Sequence, residues 1–337
     1  MATVPNLANP SIVDRKYASV NRFLSSAAIP SATPLYAGEK IVSTDTGARY
    51  EGLAVVAGAW GRIESKSASS GGGGGGGGFP DASTTGPAIA TVFTTTTGNF
   101  QSTAPGQIIE KRTINNGMID IRHANVTVRD CIVNSQDSAA IRTTGAGPFA
   151  GCLIERCTLT GIGGSVAIAP DAMTNLEIRF CDISGYENGI FISDNGMNIH
   201  DNYIHGLISL AGSPHIDGIQ GTGGFTSLTI RHNTIVSWDT SCIILQTEGA
   251  GYSGTVIDNN RLLFDAAHIG TELAYGILCQ RKDADVGTVG ALTITNNRIQ
   301  KAQPAQSYIF IHNVIGPLAI SGNVDDTTGN PITPDIS

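Results

Sequence analysis

Asp194, His215, Asp217 and Glu248 bring carboxylate and imidazole chemistry into one stretch of the chain. His215 and Asp217 lie two residues apart in "SPHIDGIQGTGG", Ser213 to Gly224. A pair of carboxylates suits glycoside hydrolysis, where one protonates the leaving oxygen and the other activates water. Asp194 with Asp217, or Asp217 with Glu248, are the candidate pairs. Metal chemistry has weaker support. His200 lies one residue after an anchor isoleucine and His232 two residues after the anchor of the next repeat, and His205 lies between them, but no third ligand converges. Neither a metal nor a cofactor is expected. The eight consecutive glycines from Gly71 lack the Lys-Ser/Thr that follows a phosphate-binding loop.

These residues sit within an internal repeat. Blocks "VRDCIV" from Val128, "IERCTL" from Ile154, "IRFCDI" from Ile178 and "IHDNYI" from Ile199 align on their first position. "IRHNTI" from Ile230, "IDNNRL" from Ile257, "ITNNRI" from Ile294 and "ISGNVD" from Ile320 continue the series. "IEKRTI" from Ile109 fits more loosely. The fourth position holds Cys131, Cys157 and Cys181, then Asn202, Asn233, Asn260, Asn297 and Asn323. A second series is anchored on Ile141, Ile168, Ile190, Ile219, Ile243, Ile277 and Ile309. Two short strand signals per twenty-odd residues predict a parallel β-solenoid, its coils stacked about 4.8 Å apart. Like side chains then stack on like. The cysteine and asparagine columns become internal ladders, with amides bonding backbone groups and one another.

The same alignment yields a polar ledge after the second anchor series. Gln246, Glu248, Gln280, Arg281, Lys282 and His312 fall on it, with Asp194 nearer its start. Trp238 and Tyr252 lie in loops beside it, where an aromatic ring suits stacking on a sugar. Asp217 also has a structural reading: it precedes Gly218 as Asn188 precedes Gly189, so it caps a coil corner.

Three parts follow along the chain. Residues 1–66 read as a small α+β attachment or oligomerisation module. "SIVDRKYASVNRFLSSAA" has helical periodicity, with Ser11 as N-cap and Asp14 three residues on. Short strands follow it. Residues 67–78 are a Ser/Gly linker, random coil with roughly 20 Å of reach. Residues 79–337 are the solenoid and its C-terminal cap. The net charge of −8 argues against sequence-independent nucleic-acid binding. No apolar run is long enough to span a membrane. The start of the chain lacks a basic-then-apolar secretion signal. The six cysteines show no zinc spacing and read as buried thiols of a chain made in a reducing cytoplasm.

The repeat resembles the right-handed, single-stranded parallel β-helix of pectate lyases, polygalacturonase-type hydrolases and phage tailspikes. With "GFPDASTTGP", Gly78 to Pro87, and "TAPGQIIEKRTINNGMIDIRHANVTVRDCIV" after it, the chain is similar to β-helix domains in minor tail proteins of phages infecting actinobacteria. That resemblance implies a virion component at the tail tip, made in the host cytoplasm and usually a homotrimer. It implies docking to other tail proteins through residues 1–66 and a β-helix facing the host envelope polysaccharide or receptor. The hydrolase strings "NTDG" and "GHG" are absent, and so is the Arg-rich string of the lyases. The expectation is a structural, receptor-facing protein without catalysis. The alternative is a tail-associated depolymerase, lyase or glycoside hydrolase, acting on envelope glycan.

Overall fold

The computed structural model describes residues 78–337, except residues 89–91, 137–138, 146, 210–214, 266–274, 283–286 and 302–305, together with four short strands nearer the N-terminus. All regular structure among the described residues is β.

Nine strands, from Ile108–Glu110 to Leu318–Ser321, form one parallel sheet, here face A. Its central column is Ile109, Val128, Ile154, Ile178, Ile199, Ile230, Ile257, Ile294 and Ile320, each in register with the next. A second column runs Ile119, Ile141, Ile168, Ile190, Ile219, Ile243, Ile277, Ile309, again in register, on face C. Both repeat series therefore index successive coils of a parallel β-helix. Most of these isoleucines are fully buried, and each such side chain contributes about 1.5–3 kcal/mol. Apolar columns this regular are what hold so many short strands together.

The coils use three main faces rather than two, and four of them add a two-residue strand, pairing Phe149–Ala150 with Met173–Thr174 and Phe225–Thr226 with Tyr252–Ser253. Directly after the cysteine or asparagine position the chain turns and pairs again, as in Ile132–Asn134, Tyr203–Ile204 and Arg261–Phe264. These strands make face B, continuous with face C through the long strands Thr158–Ala169 and Asp182–Ile192. Each six-residue block thus spans a corner between two faces. The corner is sharp because the residue before the ladder position is left-handed in every coil: Lys111, Asp130, Arg156, Phe180, Asp201, His232, Asn259, Asn296 and Gly322 all have positive φ. Only one of the nine is glycine, so the coil geometry carries the strain of bulky residues there.

The ladder inside this corner is amide-bonded. Asn202, Asn233, Asn260, Asn297 and Asn323 are at most 3% exposed. The Asn233 Oδ1 accepts from the backbone N and the Nδ2 of Asn202, at 3.0 Å each. Its own Nδ2 donates to the carbonyls of Ile199 and Arg231 and to Asn260 Oδ1. The same links run through Asn260 and Asn297 to Asn323. At the other end Cys181 N donates to Asn202 Oδ1, and Cys181 Sγ faces the carbonyls of Ile154 and Arg179. The thiol thus faces carbonyls of the kind an amide would reach. All six cysteines are buried and free.

Glycine before the face C anchor has a steric cause. A Cβ on Gly218 would collide with Ile235 Cγ2 and stand 2.6 Å from the Cys242 carbonyl; Gly189 and Gly276 meet Ile204 and Ile299 in the same way. The corresponding position holds Cys242 where the next coil offers Leu262, unbranched at Cβ. We expect Gly218→Ala to cost about 3 kcal/mol by overpacking, read as a lowered denaturation midpoint. Gly98→Ala, whose added methyl meets nothing but whose φ is positive, should cost about 1 kcal/mol.

The chain divides into two compact units, Met1–Gly74 and Gly75–Ser337. In the first, Arg22–Leu24, Lys40–Ser43, Arg49–Gly52 and Trp60–Ile63 form a sheet in sequence order. The first pair is parallel and the rest antiparallel. Arg22–Leu24 corrects the helix expected over residues 11–28: pairing with Lys40–Ser43 draws these three residues into the sheet. The rest of that segment, Ser11 and Asp14 included, lies outside the described residues. In the second unit, the leading segment lies along the flank of the β-helix. Phe79 stacks on His232 at 5.4 Å, and Gly86 N donates to the Phe180 carbonyl. The chain closes with Asp335–Ile336, which adds a last strand to face C beside Phe310 and Ile311.

Candidate functional site

Face C carries the residues singled out from the sequence. Asn188, Asp217, Ser241 and Tyr275 occupy one register position on successive coils. Asn188 does the work expected of a corner: its Oδ1 accepts from Asp217 N at 2.9 Å. Asp217 differs in being charged. Its side chain is 0% exposed, and neither carboxylate oxygen accepts an aligned hydrogen bond. His215 Nδ1 stands 2.9 Å from Oδ2, an ion-pair contact without hydrogen-bond alignment, and the His215 side chain is half exposed. Burial pushes the Asp217 carboxyl up to about 6, the His215 contact acting against this and Asp239 adding to it. The His215 imidazole is itself raised, chiefly by Asp217. A buried acid beside a half-exposed histidine is an acid–base pair.

The other two carboxylates have structural occupations. Asp194 Oδ2 accepts from Met173 N at 2.6 Å and from Ser193 Oγ at 3.1 Å. Glu248 is exposed and ion-paired to Lys282 Nζ at 2.6 Å, while also accepting from Gln246 Nε2. Asp217 is sealed in the wall, so neither expected carboxylate pair presents two accessible acids in this conformation.

The polar ledge is assembled. Gln246, Gln280 and His312 are in register on adjacent coils. Gln280 Nε2 donates to Gln246 Oε1 at 3.0 Å, and Lys282 N donates to Thr247 Oγ1. A shallow depression of about 370 Å³ is lined by Gln280, Arg281, Lys282, Phe310 and His312. Phe310 stacks on Tyr275 at 5.4 Å and lies parallel to His312 at 6.0 Å. Sequence reasoning missed both the Phe310 and Tyr275 rings, although strict alternation in "SYIFIH" turns Phe310 outward. Two aromatic candidates behave differently. Tyr252 is 2% exposed, stacked on Phe225, with its hydroxyl donating to the Leu245 carbonyl. It is core and offers no surface, because the loop that carries it folds back as a strand beside Phe225–Thr226. Trp238 is half-buried against the core and donates to the Leu207 carbonyl at 2.8 Å.

The histidines away from this face serve the corner of face A. His200 touches Asp201 and Glu177 through its two ring nitrogens, and His232 Nδ1 meets Asp201 at 2.5 Å. Burial works to raise the Asp201 carboxyl, but these two histidines outweigh it and hold it well below the usual carboxylate range. His205 pairs with Asp182 and stacks on Tyr203. Among the described residues no group of His, Cys, Asp and Glu is arranged to hold a metal ion.

No protein-family model matches the chain, and no curated protein matches it. Among solved structures, it is similar to the A-module of mannuronan C-5 epimerase AlgE6 of Azotobacter vinelandii. Identity is 13%, with a TM-score of 0.30, over 72% of this chain and 92% of that chain. A likeness of that size says nothing of substrate or chemistry. Strand register alone makes the described strands between Thr94 and Ile336 a parallel β-helix with three main faces.

Proposed function

We propose that the protein is a structural minor tail protein of a phage virion, whose β-helix meets the host envelope and binds a glycan there without cleaving it. The observation that carries glycan binding is the face C ledge. The Gln280 amide, held from behind by the buried Gln246, lines a depression with the Phe310 ring, and Arg281, Lys282 and His312 stand around it. Such a surface offers hydrogen bonds to sugar hydroxyls and a ring for stacking. The sealing of Asp217 and the pairing of Asp194 and Glu248 favour binding over hydrolysis. The virion setting rests on the resemblance of the three-part layout to actinobacterial phage tail proteins. That resemblance also suggests a homotrimer docked to tail neighbours through residues 1–66.

The test is titration of the full-length protein against purified actinobacterial envelope glycans. We expect Phe310→Ala and Gln280→Ala each to weaken binding about tenfold, the loss of one stacking or amide contact. Unchanged affinity in both variants would move the binding surface elsewhere. Mass measurement in solution tests the trimer. A second reading, depolymerase, is favoured by one observation: the half-exposed His215 ring is backed through Nδ1 by a buried carboxylate.

A further inference from the structure

The His215–Asp217 corner has a charge arrangement that neither glycan contact nor coil capping requires. Asn188 fills the same register position one coil earlier as a neutral amide, and Ser241 fills it one coil later as a neutral hydroxyl. Asp217 puts a carboxylate between them, with its side chain fully buried and without an aligned donor. The titratable groups around it are His215 at 2.9 Å, Asp239, and the buried Cys242 thiol, whose own ionisation Asp217 opposes. Glu187 faces His215 from the preceding coil, its Oε1 accepting from the His215 backbone N at 3.2 Å. His215 is thus the one cation within this group of neighbours. His215 supplies the only cation to an ionised Asp217 among these neighbours, and the Ser241 backbone N–H the one other favourable dipole, so the buried charge is stable in the wall chiefly while His215 is protonated.

We propose that the His215–Asp217 pair is a proton-operated switch in face C, closed while the pair retains a proton and opened when both groups lose theirs. With one proton retained, either a neutral carboxyl or an ion pair keeps Asp217 within the wall. With both removed, the carboxylate turns toward water, and the Ile216–Gly221 edge of face C loosens with it. The raised carboxyl and the raised imidazole agree in direction: both hold protons more tightly in the folded chain. The switch rests on the glycan reading only for its use, as regulation of the surface that binds.

Amide hydrogen exchange by mass spectrometry on the full chain, corrected for intrinsic rates, tests it at pH 5.5 and pH 8. We expect protection over residues 216–221 to fall about tenfold or more at the higher pH. Asp217→Asn, which repeats the amide of Asn188, should abolish that fall. His215→Gln should move the loosening to lower pH, since the carboxylate then lacks its cation. Equal protection at both pH values in the wild type overturns the switch, as does an unchanged fall in Asp217→Asn. Glycan titration of the same variants is separate: a switch without binding sinks only the glycan reading, and binding without a switch sinks only this inference.

Discussion

Asn233→Ala is expected to cost about 4 kcal/mol, among the larger effects of a single side-chain truncation in the β-helix. The truncation removes the two N–H donors of Nδ2, shared among Ile199, Arg231 and Asn260, and two acceptances by Oδ1 from Asn202. The backbone N of Asn202 is then left without an acceptor in a site sealed from water, at about 1–3 kcal/mol, and the Asn202 and Asn260 amides each lose a ladder partner. The methyl group of alanine recovers little of this, because the gap has polar walls and no apolar partners. Chemical denaturation should show a lower midpoint with an unchanged slope. Cys181→Asn offers the converse test. Its backbone N already bonds Asn202, and its thiol already faces two carbonyls. Extending the amide ladder there should be neutral or stabilising by about 1 kcal/mol.

Asp217→Asn is expected to stabilise the protein at neutral and alkaline pH. Asp217 and His215 both bind protons more tightly when folded. Their contribution to stability is fully present below the ordinary carboxylate pKa and is lost as pH rises through about 6 and beyond. A carboxyl so buried, raised that far above its ordinary value, corresponds to about 3 kcal/mol. Removing the charge should recover most of that at pH 8 and nothing at pH 4. For a domain of this size the gain is on the order of 5 °C in Tm. The acid side has the opposite sign. Burial works to raise Asp201, Asp325 and Asp326, yet all three are held below their ordinary range. Histidines do this for Asp201, a tyrosine and backbone donors for Asp325, and arginines for Asp326. Their stabilisation is present above the usual carboxylate range and is lost as pH falls. The wild type should therefore be most stable between these limits, at roughly pH 4 to 6. Thermal melts across pH 3–9 read both limbs, and only the alkaline one should flatten in Asp217→Asn.

Much of this architecture was legible because stacking forces a solenoid to repeat itself. A column such as Ile178, Ile199, Ile230 recurs in sequence because each residue must fill the same slot one coil further on. The third strand was not legible. Face B strands such as Tyr203–Ile204 and Thr234–Ser237 are two to four residues long, and they begin directly after the ladder residue. A single six-residue block therefore hides a turn between two sheets. The leading helical pattern failed at Arg22–Leu24 because pairing with Lys40–Ser43 outcompetes local periodicity. At the site, sequence brought Gln246 and Gln280 together correctly through their anchors, Ile243 and Ile277. Depth was beyond it. Asp and Asn serve a corner before glycine equally well, so nothing local distinguishes Asp217 from Asn188. Only the coils on either side seal one of them as a charge. Tyr252 was misjudged for the same reason, since a ring's exposure depends on what the next coil lays over it.

The β-helix is expected to retain a glycan without cleaving it. The most direct measurement incubates the full-length protein with purified actinobacterial envelope polysaccharide and follows both retention and newly released chain ends. The expected result is retention that weakens in Phe310→Ala, with no new reducing or unsaturated ends over prolonged incubation. Release of oligosaccharides that disappears in Asp217→Ala, while Phe310→Ala binds as the wild type does, would contradict it.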